Sequence, residues 1–374
     1  MFNRSDKVKN NYMLEGSLAK KGYDWWWHSF TGYDEETNEE KSFFIEFFII
    51  NPKKSSKRAT FGSWGETPSY LMVKAGCWGN DHTELNRFFP LSCVHIASSA
   101  PFSIGANDCF CSEDRLRGSI NISEDDVKLH PEYMSNSGSI SWKLKIKKEI
   151  AFNVGYGTSF LFRKIKAFQM YWHAEGMKSL FDGEVIFNGR RYIVEGDKSY
   201  GYADKNWGRD FTSPWVWLSS NDLYSENLNK KLDNSVFDIG GGRPKVYFIP
   251  FNKKLLGAMY YEGKEFEYNF SKFWQLSKCK FDCKILDDKV MWDIAFENKK
   301  SKMEIHVECL KSDMLLINYE APDGVKRHNN LYNGGTGFGT IKLYEKNKKD
   351  LTLIDTLLCK HVGCEFGEYN EEKK

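Results

Sequence analysis

The stretch ISWKLKIKKEI, residues 140–150, alternates between apolar and polar side chains. Its apolar members are Ile140, Trp142, Leu144 and Ile146. A period of two residues is that of a β-strand with one buried and one solvated face, whereas a helix repeats its apolar positions every three or four residues. The segment therefore predicts a half-buried strand.

The same period recurs along the chain. MEIHVEC, residues 303–309, alternates in the same way, and EVIFNGRRYIV, residues 184–194, predicts a hairpin turning at Asn188 and Gly189. Helical periodicity is scarce, with one short helix expected at 81–89, where Asp81 would be the cap, and a second one near 158–168. Many strands at short spacing predict an all-β fold.

Two halves are expected within this fold. Glycine and polar residues gather at 151–160, after the strong strand. Tryptophan-rich segments open both halves: YDWWWHSF at 23–30 and MYWHAEG at 170–176. We therefore predict two similar domains, residues 1–160 and 161–374. The tail EFGEYNEEKK, residues 365–374, is expected to be solvated.

Composition narrows the function classes. The 374 residues carry a formal net charge of only +2, so no global field would recruit nucleic acid or an anionic membrane. The N-terminus lacks the apolar core of a signal peptide, and no apolar run is long enough to cross a bilayer. The expected protein is cytoplasmic, with no integral membrane segment and at most transient membrane contact. Its oligomeric state is left open.

The nine cysteines are expected to be reduced, mostly buried thiols, because their number is odd and their spacing matches no paired zinc pattern. The pair Cys109 and Cys111 leaves a redox role open as the alternative. The eight histidines are scattered without a ligand-spaced pair, so no metal site is predicted. GGTGFG, residues 334–339, lacks the spacing and the following helix of a dinucleotide-binding loop, and no cofactor is predicted.

The stretch YGYADKNWGRDFTSPWVWLSSND, residues 200–222, is aromatic and acidic at once. Trp215 and Trp217 would share one face of a strand, and Asp204 and Asn206 alternate in phase with each other. Surface loops rarely concentrate tryptophan, and plain core strands rarely concentrate aspartate. We expect this stretch to lie at the junction of the two halves and to line a deep, largely apolar cavity that binds a hydrophobic small molecule.

The segment 169–223 resembles the signature of the tocopherol cyclase family. That resemblance rests on a Trp-His strand, then a Tyr-x-Glu-Lys-Asn-Trp-Gly motif in which Asp204 stands for the glutamate, then a Trp-x-Trp strand ending in Asn221. YDWWWHSFTG, residues 23–32, is similar to a strand of the related carotenoid hydratases, with Asp24 for glutamate. LYNGGTGFGTIKLYE, residues 331–345, more weakly resembles the C-terminal strand of these proteins, with Asn333 where an acid is common.

The resemblance implies two tandem lipocalin-like antiparallel β-barrels, or strongly curved β-sandwiches, and an acid-promoted cyclisation or addition at a C=C bond of an isoprenoid-type substrate. Burial among aromatic rings would keep a carboxylic acid protonated, and the candidate acids are Asp204, Asp24 and Glu175. The predicted substrate-binding residues are Trp25, Trp26, Trp172, His173, Tyr202, Asn206, Trp207, Trp215, Trp217 and Asn221.

Several alternatives stay open at this point. Residues 203–208 could form a tight turn, with Asp204 and Asn206 as caps and Trp207 closing a barrel end. His173 is also interpretable as a core histidine, and Lys205 is expected to point away from the acid or to pair with Asp210. For the whole chain, the alternatives are a pericyclic catalyst that needs no acid, a non-catalytic carrier of a hydrophobic molecule, and a carbohydrate-contacting β-sandwich.

Overall fold

The structure is a computed structural model that describes residues 1–53, 67–98, 101–152, 168–246, 249–250, 252–325, 327–348 and 350–368. It is nearly all-β, with 64% strand and 7% helix, and it contains a closed β-barrel and a curled half-barrel. The predicted all-β fold of tandem barrels or strongly curved sheets is confirmed.

The first sheet has twelve strands. Their bounds are β1 Tyr23–Asp34, β2 Glu40–Ile50, β3 Tyr70–Cys77, β4 Thr83–Phe89, β5 Val94–Ala97, β6 Ser103–Ala106, β7 Cys109–Ser112, β8 Arg115–Ile122, β9 Gly138–Phe152, β10 Met170–Phe187, β11 Arg190–Val194 and β12 Gly201–Gly208. They follow the order β4-β3-β2-β1-β11-β10-β9-β8-β7-β6-β5, and β12 pairs with both β1 and β10.

The second sheet also has twelve strands. Their bounds, together with those of a short hairpin formed by β17 and β18, are β13 Trp215–Ser220, β14 Asp222–Ser225, β15 Lys230–Leu232, β16 Val236–Gly242, β17 Lys245–Val246, β18 Ile249–Pro250, β19 Lys254–Tyr261, β20 Lys264–Tyr268, β21 Lys278–Ile285, β22 Lys289–Glu297, β23 Ser301–Leu310, β24 Leu315–Glu320, β25 Arg327–Asn347 and β26 Asp350–Gly367. The main order is β20-β19-β16-β13-β26-β25-β23-β22-β21, with β14, β15 and β24 attached beside it.

Helices are few and short among the described residues. Two are α-helices, α1 Arg4–Lys9 and α2 Glu124–Leu129, and four are 3₁₀ segments, Leu91–Cys93, Pro131–Tyr133, Phe273–Gln275 and Lys311–Asp313. The helix expected at 81–89 is wrong, because residues 83–89 form β4. The helix expected near 158–168 lies, up to residue 167, outside the described residues. Leu85 and Phe89 on this strand point into the first core, so packing across the sheet overrides the local capping pattern.

Each sheet curls around its own hydrophobic core, and a third apolar cluster joins them. Phe47 and Trp142 belong to the core of the first sheet, and Trp292 belongs to that of the second. The third cluster combines first-sheet residues such as Trp25 with second-sheet residues such as Trp215. β1, β10 and β12 carry residues of both the first core and the third cluster, so each has one face buried inside the barrel and one between the sheets.

The change of sheet does not coincide with the expected boundary between residues 160 and 161. The tryptophan-rich β10 and the acidic β12 pair with each other and belong to the first sheet, and the second sheet begins at Trp215. β12 inserts between β1 and β10, because it can hydrogen-bond to both neighbours and bury both of its faces. That residues 1–160 and 161–374 are separate domains stays a prediction.

All nine cysteines are free thiols in the structure. Cys109 and Cys111 are buried in the first core, and burial raises the pKa of the Cys109 thiol to about 11, which disfavours the reactive thiolate. Within the described ranges, no helix is long and apolar enough to span a bilayer. The same residues hold no group of three or more His, Cys, Asp or Glu side chains placed to bind a metal ion.

A histidine on the second sheet links the two sheets ionically. Nδ1 of His361 lies 2.8 Å from Asp222 Oδ2, and its Nε2 hydrogen-bonds Glu40 of the first sheet. Burial alone would lower the pKa of His361, but the hydrogen bonds and negative charges of the two carboxylates outweigh it and raise the pKa to about 9. Burial alone would raise the pKa values of Glu40 and Asp222. The hydrogen bonds and positive charge of the protonated His361 imidazole outweigh that effect and lower both pKa values.

We expect this link to stabilise the fold most at about pH 5–6.5. The folded pKa of His361 exceeds the unfolded value of about 6.5, so its contribution is complete below that pH and is lost as the pH rises through about 9. The carboxylates contribute above about pH 4 and lose that contribution under acid. Replacing His361 with asparagine, which tolerates the residue's positive φ, should cost up to about 3 kcal/mol near pH 6. Urea unfolding at pH 6 and pH 10 tests this, and an equal loss at both would contradict it.

Candidate active site

The position of β12 between β1 and β10 builds the site. Along β12, successive side chains point alternately into the first barrel and towards the second sheet. Asp204 and Asn206 point towards the second sheet, and they pair across the ladder with Trp27 and Trp25 of β1. On the other side of β12, Trp172 of β10 is the partner of Asn206. Strand register thus gathers acid, amide and indole groups on one surface.

A cavity lies between this surface and the second sheet, with a volume of about 110 Å³. Six of the predicted site residues line it: Trp25, Trp172, Asp204, Asn206, Trp215 and Trp217. Trp27, Tyr319 and Glu365 line it as well, and Lys245 and Lys254 belong to the same lining. A pocket with aromatic walls and few polar groups therefore lies between the two sheets. That it is the deep ligand cavity expected at the junction of the two halves stays a prediction.

Three of the cavity's indoles each donate a hydrogen bond to a buried carboxyl group. Trp172 Nε1 lies 2.8 Å from Asp204 Oδ2, and Trp217 Nε1 lies 3.1 Å from Asp238 Oδ1. Trp215 Nε1 lies 2.5 Å from Glu365 Oε2. Because a buried indole N–H needs an acceptor, each tryptophan both walls the cavity and orients an acid.

Asp204 is arranged as a neutral acid. Its Oδ2 accepts from Trp172 and from the Tyr202 hydroxyl at 3.3 Å, whereas its Oδ1 has no hydrogen-bond partner among the described residues. Burial raises the pKa of Asp204 well above its usual range, against the opposing effect of the Trp172 hydrogen bond. A protonated carboxyl fits this pattern, with Oδ2 as the accepting carbonyl oxygen and Oδ1 carrying a proton available to a ligand.

Tyr202 bridges Asp204 to a second acid. Its hydroxyl lies 3.0 Å from Asp238 Oδ2, so one phenol contacts two carboxyl groups. Burial, and then the charge of Asp204, raises the pKa of Asp238 well above its usual range. Since one hydroxyl has a single proton to donate, the bridge favours a state in which at least one of the two acids is protonated.

The other polar atoms of the cavity lining are of two kinds: some are hydrogen-bonded within the protein, and others are available to bind a ligand. Tyr23 donates a 2.8 Å hydrogen bond to Asn206 Oδ1, which fixes the orientation of that amide. Trp27 Nε1 and Gln169 Oε1 are buried without a hydrogen-bond partner in the described parts of the chain. The cavity therefore offers one donor and one acceptor to a polar group of a bound molecule.

Two predicted acids lie elsewhere, inside the first barrel. Asp24 forms a fully buried ion pair with Lys205 and accepts a 2.7 Å hydrogen bond from the backbone of Met13. Lys205 was expected to point away from the acid or to pair with Asp210. It points away from Asp204 on β12, but its partner is Asp24, and it lies 3.8 Å from the Trp26 ring centroid. Burial raises the pKa of Asp24 to about 6, against the effect of Lys205. Its strand register points it away from the cavity.

The remaining interior residues follow the same alternation. Glu175 lies 3.0 Å from the Lys148 ammonium group, and burial raises its pKa to about 7. His173 is fully buried near Asp6, and burial lowers its pKa, as in a neutral core histidine. Trp26 and Trp207 belong to the core of the first sheet. None of these four predicted residues lines the cavity.

The tight turn considered for residues 203–208 is wrong, because these residues form the last six, buried positions of β12. Ladder pairing on both sides satisfies the backbone groups that Asp204 and Asn206 would otherwise have capped. Asn221 does not line the cavity either. It donates to the carbonyl oxygens of Gly201 and Met177 at 2.7 and 3.2 Å, which ties the second sheet to the first.

Glycines make room for the indoles. A Cβ atom at Gly240 would lie 2.7 Å from the Trp172 ring, and one at Gly363 would lie 2.4 Å from the Trp217 ring. Both distances are shorter than a non-bonded contact allows, so any side chain at these positions would displace the ring. The GGG run at 240–242 thus forms part of the cavity wall as well as the end of β16.

Trp27, Asp238 and Glu365 were missed as site residues from the sequence. Trp27 shares the face of Trp25 by alternation, and Asp238 stands alone between apolar Phe237 and Ile239, which is a usable signal for a buried acid. Glu365 belongs to the tail expected to be solvated. That expectation is wrong for residues 365–367, which complete β26, and residues 369–374 lie outside the described ranges.

No curated protein matches the sequence. The crystal structure of kievitone hydratase from Nectria haematococca is 11% identical, covers 95% of this chain and 93% of its own, and has a TM-score of 0.48. The crystal structure of CghA with Sch210972 is 9% identical, covers 93% and 89%, and has a TM-score of 0.47.

The family comparison covers most of the chain. The profile described as tocopherol cyclase-like matches residues 115–368. This range begins at the first residue of β8 and ends one residue after β26. It contains Asp204, its partners Trp172 and Tyr202, and the acids of the second sheet. The chain therefore belongs to the tocopherol cyclase-like family.

Proposed function

We propose that this protein is an enzyme that protonates an isolated C=C bond of a hydrophobic, isoprenoid-type molecule and so promotes cyclisation or addition of a hydroxyl group. Asp204 is the acid. The observation that carries the proposal is its Oδ1 atom, buried in the cavity lining without a hydrogen-bond partner among the described residues, on a carboxyl that burial keeps protonated. The family assignment supports the same class of chemistry.

The aromatic walls suit the intermediate of such a reaction. Protonation of a trisubstituted alkene places a positive charge on the more substituted carbon. Trp25 contacts Trp215 and Tyr319 with ring centroids 5.5 and 5.4 Å apart, so several π-faces surround one space. These faces attract a cation and keep bulk water from trapping it before the intended nucleophile does.

The size of the cavity indicates which part of the substrate enters. Its volume of about 110 Å³ is below the roughly 300 Å³ at which pockets begin to enclose a whole drug-sized ligand. The reacting end of a slender chain or a flat ring fits this space, with the rest of the molecule near Lys245 and Lys254. Within the cavity, Trp27 Nε1 and Gln169 Oε1 are suited to orient a hydroxyl or carbonyl group.

The buried acid favours an enzyme over a carrier. A carrier needs apolar walls. An ionisable group in those walls has an unfavourable burial free energy and does not help to hold an apolar ligand. Here Trp172 and Tyr202 both hydrogen-bond Oδ2 of Asp204. These contacts fix the carboxyl group and leave its Oδ1 atom available for reaction. This arrangement is the kind of preorganisation that catalysis requires and retention of a ligand does not.

Deuterium uptake from D₂O tests the proposal. The purified protein is incubated with a panel of prenylated hydroquinones and polyenes that end in an isoprenyl unit, and the recovered compounds are analysed by mass spectrometry. Protonation by Asp204 should deliver one solvent deuteron to carbon for each product molecule. Tryptophan fluorescence quenching by the same compounds reports binding. Binding without deuterium uptake across the panel would overturn the enzymatic proposal in favour of a carrier.

A further inference from the structure

Addition of a hydroxyl group to an alkene needs a base as well as an acid. The cavity that contains Asp204 is lined on the opposite sheet by a second carboxyl group, Glu365 of β26. Resting on the function proposed above, we propose that Glu365 is a catalytic base that takes the proton from the attacking hydroxyl group, which is either water or a hydroxyl of the substrate itself.

The hydrogen bonds around Glu365 favour its ionised form. Trp215 donates to Oε2, and the side-chain amide of Asn333 donates to Oε1 at 2.6 Å. Trp78 donates to Asn333 Oδ1 at 2.7 Å, so the amide is locked with its N–H groups towards Glu365. Both oxygens of Glu365 thus face fixed donors, whereas only one oxygen of Asp204 does. Donors aimed at a carboxyl group stabilise its charged form.

Among the surrounding charges, Lys74 favours the ionised form of Glu365. The ionisable groups near Glu365 are Lys74, Glu46, Asp204 and Tyr319. Burial raises the pKa of Glu365 to about 7, while the two hydrogen bonds and the positive charge of Lys74 oppose a further rise. The pKa of Asp204 is raised well beyond its usual range. Two carboxyls whose pKa values are separated by their environments can divide the acid and base roles.

The proposed step balances in protons and electrons. The π-electrons of the alkene take the proton from Asp204, which forms a C–H bond and leaves a carbocation and the Asp204 carboxylate. A lone pair of the hydroxyl oxygen forms the C–O bond, and its O–H proton passes to Glu365. Transfer of that proton from Glu365 back to Asp204 restores both groups. The net reaction adds H and OR across the double bond and consumes no other reactant.

The test separates the two half-steps. In D₂O with a prenylated hydroquinone, Glu365→Gln should still exchange deuterium into the alkene, because Asp204 is intact, while formation of the C–O bond falls by about 100-fold or more. Glu46→Gln is the matched control, because Glu46 is also a buried glutamate with a pKa raised by burial to about 7 and lies outside the cavity lining. It should retain C–O bond formation.

A second variant keeps the test valid if Glu365→Gln folds poorly. Asn333→Ala leaves Glu365 in place but removes one donor, so the pKa of the base should rise. The limb of the pH profile on which C–O bond formation increases should then shift to higher pH. Loss of a purely structural contact would lower the rate without moving that limb.

The outcomes distinguish the two proposals. Absence of deuterium uptake by the wild-type protein would overturn the proposed function, and the base with it. Deuterium uptake with undiminished C–O bond formation in Glu365→Gln would overturn the base alone. Infrared difference spectra between wild type and Glu365→Gln give a check without substrate. A Glu365 carboxyl band that persists up to pH 9 would also overturn the base.

Discussion

Replacing Asp204 with asparagine is expected to lower turnover by about 10²- to 10⁴-fold while leaving the fold and ligand affinity nearly unchanged. Asparagine has almost the same shape, and its carbonyl oxygen can accept the 2.8 Å hydrogen bond from Trp172. It cannot release a proton to carbon. Steady-state kinetics on a compound that reacts with the wild-type protein, with urea unfolding alongside, measures both effects.

Asp238→Asn is the matched control for this variant. Asp238 is also buried, shares the Tyr202 hydroxyl with Asp204, and lies outside the cavity lining. Its replacement should cost about tenfold at most in turnover, through the orientation of Tyr202, because the acid itself remains. If Asp204→Asn unfolds the chain, Asp204 is a structural residue. If Asp204→Asn turns over normally, the acid lies elsewhere, and Asp238 is the next residue to replace.

Much of the site follows from alternation within single strands. Because side chains alternate along a strand, Trp172 and His173 face opposite sides, and so do Trp26 and its two tryptophan neighbours. The same alternation places Asp204 and Asn206 on one face. The structure shows these phases in β1, β10 and β12. Which of the two faces lines a cavity depends on strand order, and that order is a property of pairings made far along the chain.

The misplaced acids show this limit. Like Asp204, Asp24 and Glu175 are acids in tryptophan-containing stretches. Both nevertheless point into the barrel, where Lys205 and Lys148 neutralise them. Glu365 has no local signal, because its partners Trp215 and Asn333 come from other strands of the second sheet. A single sequence does not reveal contacts between residues so far apart.

The interior ion pair gives the second large effect, and it separates a structural acid from a catalytic one. Asp24 and Lys205 are both fully buried, and their side chains are hydrogen-bonded to each other. Removing one member leaves the other as an uncompensated charge in an apolar core, which costs about 3–5 kcal/mol. We therefore expect Asp24→Asn to lower the free energy of unfolding by that amount, measured by urea denaturation at pH 7.

The partner variant makes the prediction specific. Replacing both residues, Asp24→Asn with Lys205→Met, removes the stranded ammonium group and should recover most of the lost stability, because methionine fills a similar volume beside Trp26. The free energies of unfolding of the wild type, Asp24→Asn, Lys205→Met and the double variant form a double-mutant cycle, which gives the coupling energy between the two side chains. The folded fraction of Asp24→Asn should still take up deuterium from D₂O, since Asp204 and the cavity lining are untouched. Lost turnover at unchanged stability would instead make Asp24 the acid and contradict the assignment of Asp204.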